Sequence, residues 1–136
     1  PMYLVDTNIV IALLIRQTPW QLAARELYVR DPDWCTETHA LVELTNVVTR
    51  YVRIGELAVD EGLLVLQDAT RRLEPRLLSV AHADALLIAV ERGVSAYDAR
   101  FLVAARQLGQ RLVTEDGKLR AAAPELTQSL EEALAG

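Results

Sequence analysis

The 136-residue sequence is poor in the residues that build disulfides, zinc sites and membrane spans. It has one cysteine, Cys35, which excludes an internal disulfide framework and fits a reducing compartment, so a cytoplasmic location is expected. Its two histidines, His39 and His82, have no partner at metal-ligand spacing, and each is expected to be an ordinary core-edge or surface residue. The longest apolar run, Ile9 to Ile15, has seven residues, against the roughly 18 needed to span a bilayer. The opening segment Met2 to Ile15 carries Asp6 and Asn8 and has no basic start, so it is not read as a signal peptide. Pro1 ahead of Met2 reads as a remnant of processing or cloning. There is no internal repeat, low-complexity tract or Ser/Gly linker, and the length fits one domain over residues 1–136. A hydrophobic content of 51% argues against disorder. Basic charge is also scarce. Fourteen Lys+Arg stand against nineteen Asp+Glu, a net charge of −5, which excludes a non-specific nucleic-acid coat but not local contact with RNA.

What is present is an alternation of short strand-like runs and longer helical ones. Tyr3-Leu4-Val5 reads as a strand buried on both faces, followed by a helix from Thr7 to Ile15. Thr18-Pro19 is a helix start, with the helix reaching Arg30. Asp31-Pro32-Asp33 breaks it, and Trp34-Cys35-Thr36 is a second strand. From Ala40 to Arg53, the residues Ala40, Leu41, Leu44, Val47, Val48, Tyr51 and Val52 share one helical face. Further helices are expected over Val59–Leu73, Ala83–Glu91, Tyr97–Leu108 and Lys118–Ala123, and strands over Arg76–Val80, Arg111–Thr114 and Thr127–Leu130. The alternation predicts an α/β fold with a mainly parallel central sheet and helices on both faces, a three-layer α/β/α arrangement.

In such sheets ligands bind outside the carboxyl ends of the strands. Asp6 follows the first strand, Asp116 follows Leu112 to Thr114, and Asp98 opens the helix after Ser95-Ala96-Tyr97. Glu43 lies at the edge of the apolar face of its helix, about 40° from Val47. Singly, each acid could cap a helix, hold a turn or face solvent. Together they would repel one another unless a cation sat between them. An all-oxygen carboxylate set suits Mg²⁺ or Mn²⁺ rather than zinc, and the chemistry that follows is attack of water on a phosphodiester.

At these residues the sequence resembles the PIN-domain ribonucleases, most closely the VapC-type toxins of toxin–antitoxin pairs. The resemblance rests on Val5-Asp6-Thr7-Asn8 after the first strand, Glu43 in Ala40-Leu41-Val42-Glu43-Leu44, Val94-Ser95-Ala96-Tyr97-Asp98-Ala99, and Leu112-Val113-Thr114-Glu115-Asp116, in order over nearly the whole chain. It implies a metal-dependent endoribonuclease in which Asp6, Glu43, Asp98 and Asp116 hold Mg²⁺ or Mn²⁺ and orient the attacking water. It also implies that Thr114 supports the metal's water or a carboxylate, and that Thr7 and Asn8 bond within the cluster. Of the adjacent Glu115 and Asp116, the spacing after Thr114 matches Asp116. Such proteins are usually dimers that cleave RNA and are inhibited by an antitoxin whose tail enters the catalytic groove.

Arg16, Arg50 and Arg53 are candidates to track an RNA backbone, with pairing of Arg50 to a nearby acid as the alternative. Arg71-Arg72 reads as a solvated helix end, and Trp20, Trp34, Tyr51 and Phe101 as core or dimer contacts. Two other functions fit an α/β domain. A phosphatase would want Asp-x-Asp after the first strand, where Asp6-Thr7-Asn8 stands. A receiver would want an acidic pair there and a well-placed late lysine, and Lys118 is the only lysine. A catalytically silent binding module on the same fold is the remaining alternative.

Overall fold

The structure is a computed structural model that describes residues 2–15 and 18–136; Pro1 and Arg16, on which two of the sequence readings fall, lie outside the described residues. Five strands, β1 (Tyr3–Val5), β2 (Trp34–Glu37), β3 (Leu77–Leu78), β4 (Leu112–Val113) and β5 (Thr127–Gln128), form one sheet in the order β3-β2-β1-β4-β5. Every pairing is parallel. The helices are α1 (Thr7–Leu14), α2 (Gln21–Arg30), α3 (His39–Arg53), α4 (Val59–Leu73), α5 (His82–Arg92), α6 (Ala96–Leu108), α7 (Gly117–Ala122) and α8 (Leu130–Ala135).

The two-residue period of a strand divides the core. Leu4, Cys35 and Leu112 point into one layer with α5 and α6, where Phe101 and Leu102 are fully buried. Their neighbours Val5, Trp34 and Val113 point into the other, with α1, α2, α3, α4 and α8. Both faces of the sheet are therefore covered, as the α/β expectation required. On α3, Ala40, Leu44 and Val48 are buried, while Leu41, Val47, Tyr51 and Val52 are half-buried. Gly62 lets α4 lie close on α3, since a Cβ there would stand 2.8 Å from Val48 Cγ1. Gly93 and Gly109 end α5 and α6 in the left-handed region, at φ 68° and 63°.

Several sequence boundaries move for identifiable reasons. α2 begins at Gln21, because Thr18 and Pro19 form the turn before it, and Trp20 there is 41% exposed rather than core. The strand expected over Arg76–Val80 shrinks to Leu77–Leu78. A 3-10 turn takes Glu74–Arg76, and the Val80 N–H donates to a Glu37 carboxylate oxygen at 3.2 Å instead of to a strand. The last strand ends at Gln128 because Ser129 and Glu132 form a capping box that starts α8. Arg71 and Arg72 are not simply solvated: both pair with Asp68, and Arg72 also lies 4.9 Å from the Tyr28 ring centroid.

The sequence reading missed Glu37, a fully buried carboxylate at the end of β2. It accepts hydrogen bonds from the His39 N–H at 2.6 Å, the Val80 N–H at 3.2 Å, and Arg100 Nε and Nη2 at 3.0 and 2.7 Å. One side chain thus ties together the starts of α3 and α5 and the first turns of α6. Burial raises its pKa, but the Arg100 fork and the two backbone donors outweigh burial, and the carboxyl lies below the usual range.

A group whose pKa is lowered by folding contributes stability above its unfolded value, here 4.5, and loses it as pH falls through the folded value. Glu37→Gln should therefore cost about 3–5 kcal/mol at neutral pH, because Arg100 is left buried without its partner. The difference from the parent should narrow below pH 4.5, as measured by urea unfolding across pH. A neutral-pH cost under about 1 kcal/mol would contradict this role.

Candidate active site

The winding of the sheet reverses at β1. From there β2 and β3 follow on one side, and β4 and β5 lie on the other. The β1/β4 boundary is thus the switch point at which a crevice opens beyond the carboxyl ends of the strands. Asp6 stands at the end of β1 and Asp116 just past β4. Asp98 sits in the first turn of α6 in one layer, and Glu43 in the second turn of α3 in the other. The four sequence-nominated acids are thereby brought to one end of the sheet.

Their local roles are visible. Asp6 caps α1, its Oδ1 accepting from the Thr7 N–H at 2.7 Å. Its Oδ2 accepts from the Thr114 hydroxyl at 2.8 Å and from Asn8 Nδ2 at 3.2 Å. Asn8 Nδ2 also reaches Thr114 Oγ1 at 3.1 Å, and its Oδ1 accepts from the Glu115 N–H at 3.1 Å. The Asp116 N–H donates to Thr114 Oγ1 at 3.1 Å, so Asn8 and Thr114 lock the loop after β4 onto the start of α1. Thr7 Oγ1 donates to Glu43 Oε1 at 2.7 Å and links α1 to α3. Asp116 caps α7, its Oδ1 accepting from the N–H groups of Lys118 and Leu119. Glu43 Oε2 and Asp116 Oδ2 have no partner among the described residues. Asp98 does not cap its helix, because the Ser95 hydroxyl does.

The electrostatics are those of crowded like charges. Asp6 is 6% exposed, and burial pushes its carboxyl up to about 7. The hydrogen bonds from Thr114 and Thr7 oppose that rise, while the charges of Glu43 and Asp98 add to it. Asp98 is raised by burial and by Asp116, with the Ser95 hydroxyl and His39 opposing. None of the four acids forms an ion pair with Lys or Arg among the described residues. Glu115, by contrast, turns away: its Oε2 accepts from the Leu130 N–H at 2.8 Å, and Arg120 lies 3.8 Å from its Oε1.

The donors are oxygens only, as a hard divalent cation requires. Among the described residues no three His, Cys, Asp or Glu side chains close on one point as a ready-made chelate. Mg²⁺ does not need a closed chelate, because it keeps several waters and takes one or two direct carboxylates. Arg50 is exposed on α3 and makes no ion pair among the described residues, so the alternative of pairing with an acid is not realised. With Arg53 it borders an apolar groove formed by Ile11, Val47, Tyr51 and Ile54. Sequence reasoning read His39 as an ordinary core-edge or surface residue and quoted Tyr97 only within the motif around Asp98, whereas the structure stacks the two rings on each other. His39 precedes Glu43 by one helical turn, and Tyr97 adjoins Asp98, and both spacings were available to it.

The PIN domain family model matches residues 3–124, and the chain belongs to that family. Solved structures share its fold. PAE2754 from Pyrobaculum aerophilum superposes with a TM-score of 0.79 at 24% identity, covering 98% of this chain and 87% of that one. A toxin–antitoxin complex from Klebsiella pneumoniae gives 0.69 at 18%, covering 93% and 96%. The sarcin–ricin-loop-cleaving toxin VapC20 of Mycobacterium tuberculosis gives 0.67 at 23%, covering 90% and 95%. No curated protein matches the sequence.

Thr114→Val removes the hydroxyl shared by Asp6, Asn8 and Asp116 while keeping the shape of the side chain. The variant should lose about 1–3 kcal/mol of stability in urea unfolding. Its Asp6 carboxyl should titrate above about 7 by carbon-13 NMR, because a bond that favours the charged form is gone. An unchanged Asp6 titration would contradict the network.

Proposed function

We propose that the chain is a metal-dependent endoribonuclease that hydrolyses RNA phosphodiester bonds, and that it serves as the toxin of a toxin–antitoxin pair. The observation that carries this reading is the set Asp6, Glu43, Asp98 and Asp116 crowded at the switch point, with Asp6 and Asp98 raised and none of the four paired with Lys or Arg among the described residues. Such an arrangement is costly unless a dication resides there. Bound Mg²⁺ or Mn²⁺ would neutralise the cluster, favour ionisation of water and stabilise a leaving oxygen. Asp6, Asp98 and Asp116 would hold the ion, and Glu43, from the opposite layer, would orient water and accept its proton. Thr114, Thr7 and Asn8 keep Asp6 and Glu43 in place, and Arg50 is offered for contact with the RNA backbone.

Membership of the PIN family supports nuclease chemistry, and the fold shared with toxins of toxin–antitoxin complexes supports an antitoxin partner. The apolar groove beside Arg50 and Arg53 is open to receive an antitoxin segment. We also propose a homodimer and a cytoplasmic location, the latter favoured by the single cysteine, Cys35. A second reading, a catalytically silent binding module, draws on the absence of a closed three-residue chelate among the described residues.

RNA cleavage should require added Mg²⁺ or Mn²⁺ and stop on chelation. Glu43→Gln and Asp98→Asn should each lower the rate at least about 100-fold while thermal unfolding stays cooperative. Full activity in either variant removes that residue from the assignment. A Mn²⁺ titration by calorimetry with no carboxylate-dependent heat favours the silent module.

A further inference from the structure

The acid cluster creates a problem for its own substrate. The chain is negative overall, and on the nuclease reading phosphates must come to the end of the sheet where the four carboxylates gather. Coulombic attraction from the protein is therefore weak there, and part of the grip on a single strand must come from contacts that carry no charge. Aromatic rings supply such contacts in proteins that bind single strands.

Two aromatic rings stand beside Asp98. The imidazole of His39, first residue of α3, stacks on the phenol of Tyr97, in the first turn of α6, with centroids 5.0 Å apart and planes 13° from parallel. Tyr97 is 62% exposed. Its phenol makes no hydrogen bond among the described residues. The stack bridges the two helix starts that Glu37 ties to β2, so its geometry is inherited from a buried anchor. Tyr97 immediately precedes Asp98 in the first turn of α6, which places the platform at the edge of the cluster.

We propose that Tyr97, backed by His39, is a stacking platform for a nucleobase next to the cleaved phosphodiester of a single-stranded RNA. This inference rests on the nuclease reading of the same site. His39 covers one face of the phenol, and an unpaired base covers the other. The contact tolerates any base, because every base has a π-face, so Tyr97 favours unpaired over paired substrate without reading sequence. Because stacking releases no counterions, its contribution is independent of salt, whereas that of Arg50 is not.

The test compares two short labelled strands in Mg²⁺, one an oligoribonucleotide and the other carrying the same sugar-phosphates without bases. Binding is read by fluorescence anisotropy in a Glu43→Gln background that leaves the strand uncut. The base-bearing strand should bind about 5- to 100-fold tighter than the abasic one. Tyr97→Ala and Tyr97→Leu should bring that ratio close to one, Tyr97→Phe should restore it, and raising salt should leave it unchanged. In the cleaving enzyme the loss in Tyr97→Ala should fall on KM rather than on kcat. If the chain cuts RNA but the ratio is the same in Tyr97→Ala, the platform is overturned and the nuclease stands. If the chain neither binds nor cuts either strand, both readings fall together.

Discussion

Asp6 is a carboxylate held in nearly complete burial at the one place where the sheet reverses its winding, with other carboxylates within electrostatic reach. Burial alone would drive it neutral, and Glu43 and Asp98 push the same way. Thr114, Asn8 and the Thr7 N–H resist, fixing its oxygens without neutralising them. An isosteric amide or hydroxyl would cap α1 at less cost.

The contrast lies one strand away. Glu37 ends β2 as Asp6 ends β1, and it is more deeply buried, yet an Arg100 fork and two backbone donors satisfy it. The same sheet edge thus holds two kinds of buried carboxylate. One is compensated, and it anchors the helix starts that carry Asp98 and approach Glu43. The other is hydrogen-bonded but has no cationic partner among the described residues, and it stands at the crevice. On the nuclease reading the compensated carboxylate is scaffold and the one without a cation is the group offered for chemistry.

Much of this was legible in the sequence, and the failures have physical causes. The strand Tyr3–Val5 announced itself by continuous apolarity, and α4 by its acidic start and basic end, because burial on both faces and the helix dipole leave composition signatures. Asp6 and Asp116 stood out because each follows an apolar run. Glu37 did not, because its compensation comes from Arg100, 63 residues away, and long-range pairing leaves no local pattern. β3 was overdrawn for the same reason, since the Val80 N–H that would extend it is taken by Glu37. Ser95, a small residue in an unremarkable turn, took the capping role open to Asp98.

The central claim is that the four acids exist to hold a dication between the two helical layers. A crystal structure of the protein soaked with Mn²⁺, with anomalous data collected at the manganese edge, tests it most directly. The account predicts a peak at the β1/β4 crevice, with Asp6 and at least one of Asp98 and Asp116 among its ligands and Glu43 facing it. An empty crevice at saturating Mn²⁺, with the four carboxylates drawn to arginines instead, would contradict it.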